Sequence, residues 1–187
     1  MKSLYVTNQI PKDATVLLVD LEEKYFEEVL EYEEPEVKEI INKRITKRLN
    51  VMKKTLEKLK KSGHKILAIN VNDIYEGFED IPDEYLPQWD SEGMDLSNDD
   101  IGAAHRLNPV IIERIAKESN VVVCGLWKEL CVYIVTRKLQ EEYGENVLMY
   151  LGSDLTLENG MMWTDDDIIT LKAISERDGV TIKEIIK

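Results

Sequence analysis

From Pro35 onward, apolar side chains recur at intervals of three and four: Val37, Ile40, Ile41, Ile45, Leu49, Met52, Leu56 and Leu59. This spacing predicts one long amphipathic helix, with proline as its first residue and a stop near Ser62-Gly63. Four other stretches follow a different pattern: TVLLVD at 15–20, KILAINV at 65–71, VVVC at 121–124 and VLMYL at 147–151. Each is short, nearly continuous in apolar side chains and rich in branched residues, as expected for strands buried on both faces.

Taken in order, the pattern alternates between strands and helices. Residues 1–13 read as an N-terminal arm, with a polar, proline-containing loop from Asn8 to Asp13. Residues 22–34 form an acidic, partly helical connection to the long helix. Strand, helix, strand implies a parallel crossover. Residues 72–101 contain Gly77, Pro82, Pro87 and Gly93 and read as a long loop or lid with at most short helical turns. Asn108-Pro109 starts a helix running to about Ser119. A further helix containing Cys131 follows the 121–125 strand and ends near Tyr143-Gly144. Asp165–Arg177 predicts another helix, with Thr164 as its cap, and 180–186 a short strand or turn before a terminal helical turn. The expected fold is a three-layer α/β/α domain with a mostly parallel sheet of about six strands. A chain of 187 residues fits a single domain.

Charge sharpens this picture. The net charge of −13 argues against a nucleic-acid binder. Its distribution is uneven: residues 21–36 hold eight Glu and one Lys, residues 37–65 hold eleven Lys or Arg and two Glu, and residues 73–100 hold eleven acids and no base. The basic stretch reads as a solvated helix face, or one neutralised by acidic segments of the chain or of a partner. No apolar run approaches the length a membrane span needs. The start of the chain does not resemble a signal segment, and Cys124 and Cys131 are badly spaced for a disulfide, so a reduced, cytoplasmic protein is expected.

The chemistry gathers at VVVCGLWKELC, 121–131, where a strand, a glycine turn and a helix follow one another. Cys131 falls in the first helical turn, where backbone N–H groups and the helix dipole favour a thiolate. The same cysteine could equally be a buried structural thiol. Asp20 ends the first buried strand. In a parallel sheet the carboxyl ends of strands line one edge, so Asp20, the turn 125–131 and Asp154 are expected there together. A carboxylate beside a thiol is a candidate base and nucleophile for attack on a carbonyl, with backbone N–H groups of the turn serving the oxyanion.

These stretches resemble the isochorismatase-like cysteine hydrolases. VLLVDLEEKYF around Asp20 is similar to the family's opening strand, whose aspartate is followed by a polar stretch ending in an aromatic. VVVCGLWKELCV is similar to its strand and turn before the nucleophile, and VLMYLGSDLT and DGVTIKEII to its later segments. The resemblance implies a six-stranded parallel sheet, frequent homo-oligomers and an Asp–Lys–Cys triad. It also implies a non-proline cis peptide, which would fall near Leu126-Trp127. Asp20 takes the aspartate's place and Cys131 the nucleophile's.

The lysine has no match, since none occurs from Ile66 to Ala116. Its interval corresponds to 98–108, where Ala104-His105-Arg106 is the nearest equivalent. His105 could exchange a proton there, and Arg106 could supply charge. Lys128, three residues before Cys131, could also lower the thiol pKa. His105 and Lys128 could equally be an ordinary loop histidine and a surface lysine. Trp127, Lys128 and Arg106 are the expected substrate-binding residues. No metal is expected, since Asn70, Asn72 and Asp73 offer one acid and no histidine, and no cofactor is expected either. Acids at 90–100 read as solvated loop charge.

Three functions therefore stand. The first is a cysteine hydrolase acting on a small-molecule amide or related C–N bond. The second is a member without activity, serving as a binding or assembly subunit. The third is a metal-dependent acid-cluster enzyme using Asp20, Asp154 and the acidic loop.

Overall fold

The computed structural model describes residues 2–23, 26–27, 30, 33–69, 74–86, 107, 109–158 and 170–186. Seven parallel strands form one sheet: β1 (Lys2–Thr7), β2 (Thr15–Val19), β3 (Ile66–Ile69), β4 (Glu84–Tyr85), β5 (Val121–Gly125), β6 (Val147–Tyr150) and β7 (Val180–Glu184), in the spatial order β4-β3-β2-β5-β6-β1-β7. Among the described residues, four α-helices of seven residues or more accompany it: α1 (Pro35–Lys61), α2 (Pro109–Ile115), α3 (Tyr133–Tyr143) and α4 (Leu171–Arg177).

Both faces of the sheet are covered, which gives the three layers. Every residue of β2, β3, β5 and β6 is buried. Alternate side chains therefore serve two cores. On one face Val16, Leu18, Ile66, Ala68 and Val122 pack against Ile41, Ile45, Leu49, Met52 and Leu56 of α1. On the other, Leu17, Val19, Leu67 and Val123 meet Ile111 and Ile115 of α2, Val135 and Leu139 of α3 and Ile174 of α4. The long helix begins at Pro35 and ends at Lys61, as its spacing predicts, with Gly63 at φ +89 just beyond it. Its buried stripe is narrower than the apolar pattern: Val37 and Ile40 stand exposed.

Two further strands, β1 and β4, lie where the sequence pattern is weakest. Residues 2–7, expected as an arm, are a strand between β6 and β7, with Val6 opposite Met149 and Leu4 opposite Ile182. Leu4 and Val6 are buried while Tyr5 between them is only half-buried, so the segment alternates instead of forming an apolar run. Within the expected 72–101 loop, Glu84–Tyr85 adds a two-residue strand beside β3, and Phe78, Ile81 and Leu86 are buried around it. At the C-terminus, where a short strand or turn is expected, the chain forms the strand β7, and no helical turn follows up to Ile186. α2 stops at Ile115, short of Ser119. The last helix is described only from Leu171, capped by Thr170, whose hydroxyl accepts from the Ala173 amide at 3.2 Å. Thr164 and Asp165 lie outside the described residues.

The topology has one functional consequence. After β2 the chain builds outward through β3 and β4, then returns to β2's other side to build β5 and β6. The connections diverge between β2 and β5, and in open α/β sheets that is the point where ligand sites form at the carboxyl ends of the strands. Asp20 and the turn after Gly125 stand there.

Candidate active site

β2 and β5 run in register from Thr15 opposite Val121 to Val19 opposite Gly125. Immediately beyond, the Leu126 amide donates to the Val19 carbonyl at 2.9 Å, so the chain leaving β5 stays bound to the end of β2. Gly125 adopts φ +120, and the segment following β6 closes against it. The Gly125 amide donates to Leu155 O at 3.0 Å, the Leu157 amide to Gly125 O at 3.1 Å, and the Lys128 amide to Leu157 O at 2.8 Å. The turn is thus fastened from both sides.

Helix formation restarts with a π-helical turn, Lys128–Val132, in which the Val132 amide donates to Trp127 O at 3.2 Å. Single π turns are uncommon and concentrate at functional sites, because the wider turn re-aims one side chain. Here that turn contains Cys131, which is half-buried. Asp20, at φ +54, lies in the left-handed region, which aspartate tolerates better than most residues. It is only 1 % exposed.

The structure brings these two residues together. Burial is the main influence pushing the Cys131 thiol pKa well above its ordinary value, followed by the Asp20 charge and the hydrogen bond the thiol gives the Asp20 carboxylate. Backbone amides of Trp127 and Cys131 pull the other way and favour a thiolate. The net result reverses the expectation of a thiol acidified by its helix terminus: burial next to a carboxylate outweighs two amide dipoles.

Lys128 does not serve the thiol. Its ammonium is bound by Glu158 and lies 3.8 Å from Glu129, whose side chain is buried. It therefore ties the cysteine turn to the strap after β6. Trp127 packs edge-on against Phe26, with ring centroids 5.8 Å apart, and Phe26 against Tyr75 at 5.2 Å. This aromatic wall joins the chain after β2, the chain after β3 and the cysteine turn. No cis peptide occurs among the described residues, so the expected cis bond at Leu126-Trp127 is trans.

Asp154 follows β6 as expected but serves different neighbours. It accepts from the Tyr150 hydroxyl at 3.0 Å and lies near Cys124, whose thiol is pushed upward by burial and then by the Asp154 charge. Asn70, Asn72, Asp73, His105, Arg106 and the acids at 90–100 lie outside the described residues. Among those described, no group of three or more His, Cys, Asp or Glu side chains could hold a metal ion.

Sequence inspection missed Glu22, Glu129 and Glu158. Glu22 is fully buried, its amide donates to Asp20 O at 2.9 Å, and it bridges to Ile74. Its only signal was its position two residues after Asp20. Glu158 meets Lys128 from thirty residues away, a pairing with no local signature.

A scan against protein-family models and a search of curated proteins gave no match for this chain. Among the described residues, no helix is long and apolar enough to cross a membrane.

Proposed function

We propose that this protein is a cysteine hydrolase of the isochorismatase-like type, acting on a small-molecule amide or related C–N bond. One observation carries the reading: the Cys131 thiol lies beside the buried Asp20 carboxylate, just beyond the carboxyl ends of two adjacent strands. In this mechanism the sulfur attacks the carbonyl carbon and its proton passes to Asp20. The amides of Trp127 and Cys131 receive the charge that develops on oxygen. Asp20 returns the proton to the departing nitrogen, which leaves a thioester. Water then attacks the thioester, giving its proton to Asp20, and the acid departs as the sulfur takes the proton back. A high resting thiol pKa suits this sequence, since the proton moves only when substrate is in place. His105, with Arg106 beside it, is the candidate for the third group. The reading includes a cytoplasmic homo-oligomer, and both cysteines are free thiols, in keeping with a reducing compartment.

The second reading, a binding or assembly subunit without activity, draws on the pairing of Lys128 with Glu158 instead of the thiol. One experiment separates the two. The protein is incubated with a panel of small carboxamides, ureas and carbamoyl compounds, and released ammonia is measured together with the Cys131→Ala and Asp20→Asn variants. The hydrolase reading expects release from at least one compound and a loss of roughly a hundredfold or more in each variant. Release that survives Cys131→Ala, or none from any compound, overturns it.

A further inference from the structure

The outer face of α1 is unlike the rest of the molecule. The helix holds ten Lys or Arg and three Glu in a chain of net charge −13. Its solvent side borders an open space of about 620 Å³ lined, among the described residues, by α1 alone, with Lys43, Lys47, Val51 and Lys54 and one acid, Glu39. Ile40 is 54 % exposed beside it, with Val51 40 % exposed on the same side. A helix interior seldom leaves branched apolar residues in water on the side away from its core stripe.

The lysines add a second anomaly. Lys43 and Lys47 are one turn apart, and like charges at that spacing destabilise a helix. Two other bases of α1 find acceptors: Lys60 reaches Asp83 at 3.2 Å, and Arg48 donates to Ser153 O at 3.1 Å. Among the described residues no ion pair engages Lys43, Lys47 or Lys54. This face therefore combines exposed positive charge with exposed apolar surface.

We propose that this face docks an acidic, amphipathic segment of a partner protein, its carboxylates meeting Lys43, Lys47 and Lys54 and its apolar side chains covering Ile40 and Val51. Charge complementarity selects the occupant. A second copy paired through α1 about a two-fold axis would set this basic helix against itself. A nucleic acid would leave Ile40 and Val51 uncovered. Because α1 packs on the opposite face of the sheet from α3, the surface does not depend on whether Cys131 is a nucleophile.

The test uses the full chain and a fluorescein-labelled helical peptide of about 20 residues, with leucine at helical spacing and glutamate at the flanking positions. Binding is followed by fluorescence anisotropy. Controls are the same peptide with lysine in place of glutamate, and a single-stranded RNA of similar length. The proposal expects saturable binding of the acidic peptide and none of the basic one. It expects roughly tenfold or greater weakening in K43E/K47E/K54E and, independently, in I40S/V51S, with further weakening as salt is raised. All five positions are exposed, so both variants should retain the helical circular dichroism of the parent. No saturable binding of the acidic peptide up to about 0.1 mM, binding unchanged by both variants, or tighter binding of the RNA would overturn it.

Discussion

A Cβ atom built on Gly125 would lie 2.2 Å from the carbonyl oxygen of Val19. That approach is possible only for glycine, and it holds the end of β5 against the end of β2. Because Asp20 follows Val19 directly and Cys131 lies six residues beyond Gly125, the same contact sets the separation between carboxylate and thiol.

Replacing Gly125 with alanine should therefore damage both stability and site. The new methyl group must displace the β2 backbone, and the residue must keep φ +120, which L side chains rarely adopt. A loss of about 3 kcal/mol or more is expected, as for overpacking combined with backbone strain. Urea denaturation checks it. A midpoint unchanged from the parent would mean the two strands can part without cost.

Asp20→Asn should make Cys131 more reactive towards iodoacetamide while removing the base. The carboxylate raises the thiol pKa, so a neutral amide in its place lowers it towards the ordinary value. Alkylation below that value should then rise by roughly tenfold per unit the pKa falls. In the parent, the rate should still be climbing at alkaline pH, where an ordinary thiol has levelled off. Cys124, fully buried, should label slowly in both proteins. Mass spectrometry of tryptic peptides over a pH series separates the two sites. An alkylation profile identical in parent and variant would show that Asp20 does not govern the thiol.

Acid should unfasten the opposite end of the sheet. Burial alone would raise the Glu118 pKa, but hydrogen bonds from Lys65, Arg114 and Thr15 together outweigh it and hold the carboxyl at about 2. These contacts are 2.8 Å from Lys65 Nζ, 2.7 Å from Arg114 Nη1 and 2.8 Å from Thr15 Oγ1, and the Glu118 side chain is 15 % exposed. A pKa depressed by folding gives stability that is complete above the unfolded value and is lost as pH falls through the folded one. The window is thus from about pH 5 down to about pH 2. Glu118→Gln should cost on the order of 2 kcal/mol at pH 7, after discounting for the half-exposed lysine, and almost nothing near pH 2. Thermal melts of both proteins across that range check it. A constant gap at all pH values would exclude ionisation of Glu118 as its source.

The core strands were legible because their composition leaves little choice. TVLLV, ILAI, VVVCG and VLMY are buried on both faces, and such runs announce themselves without knowledge of their neighbours. The long helix was legible for a similar reason, its start at Pro35 and its stop before Gly63 both being written in local chemistry. β1 and β7 were less legible, because β1 is buried on one side only and β7 is largely exposed, so neither shows a continuous apolar run.

Sequence by itself determined that this is a parallel α/β protein and that Asp20 and Cys131 each stand at the end of a buried strand. Only the tertiary structure decided that β2 and β5 are neighbours, that the Cys131 thiol is buried beside Asp20, and that Lys128 pairs with Glu158. The physical reason is range. Burial periodicity, capping and turn chemistry act over a few residues and can be read along the chain. Strand order, the ionisation of a buried thiol and the choice of a lysine's partner depend on groups brought together from more than a hundred residues apart, or from thirty, and follow only once the sheet has closed.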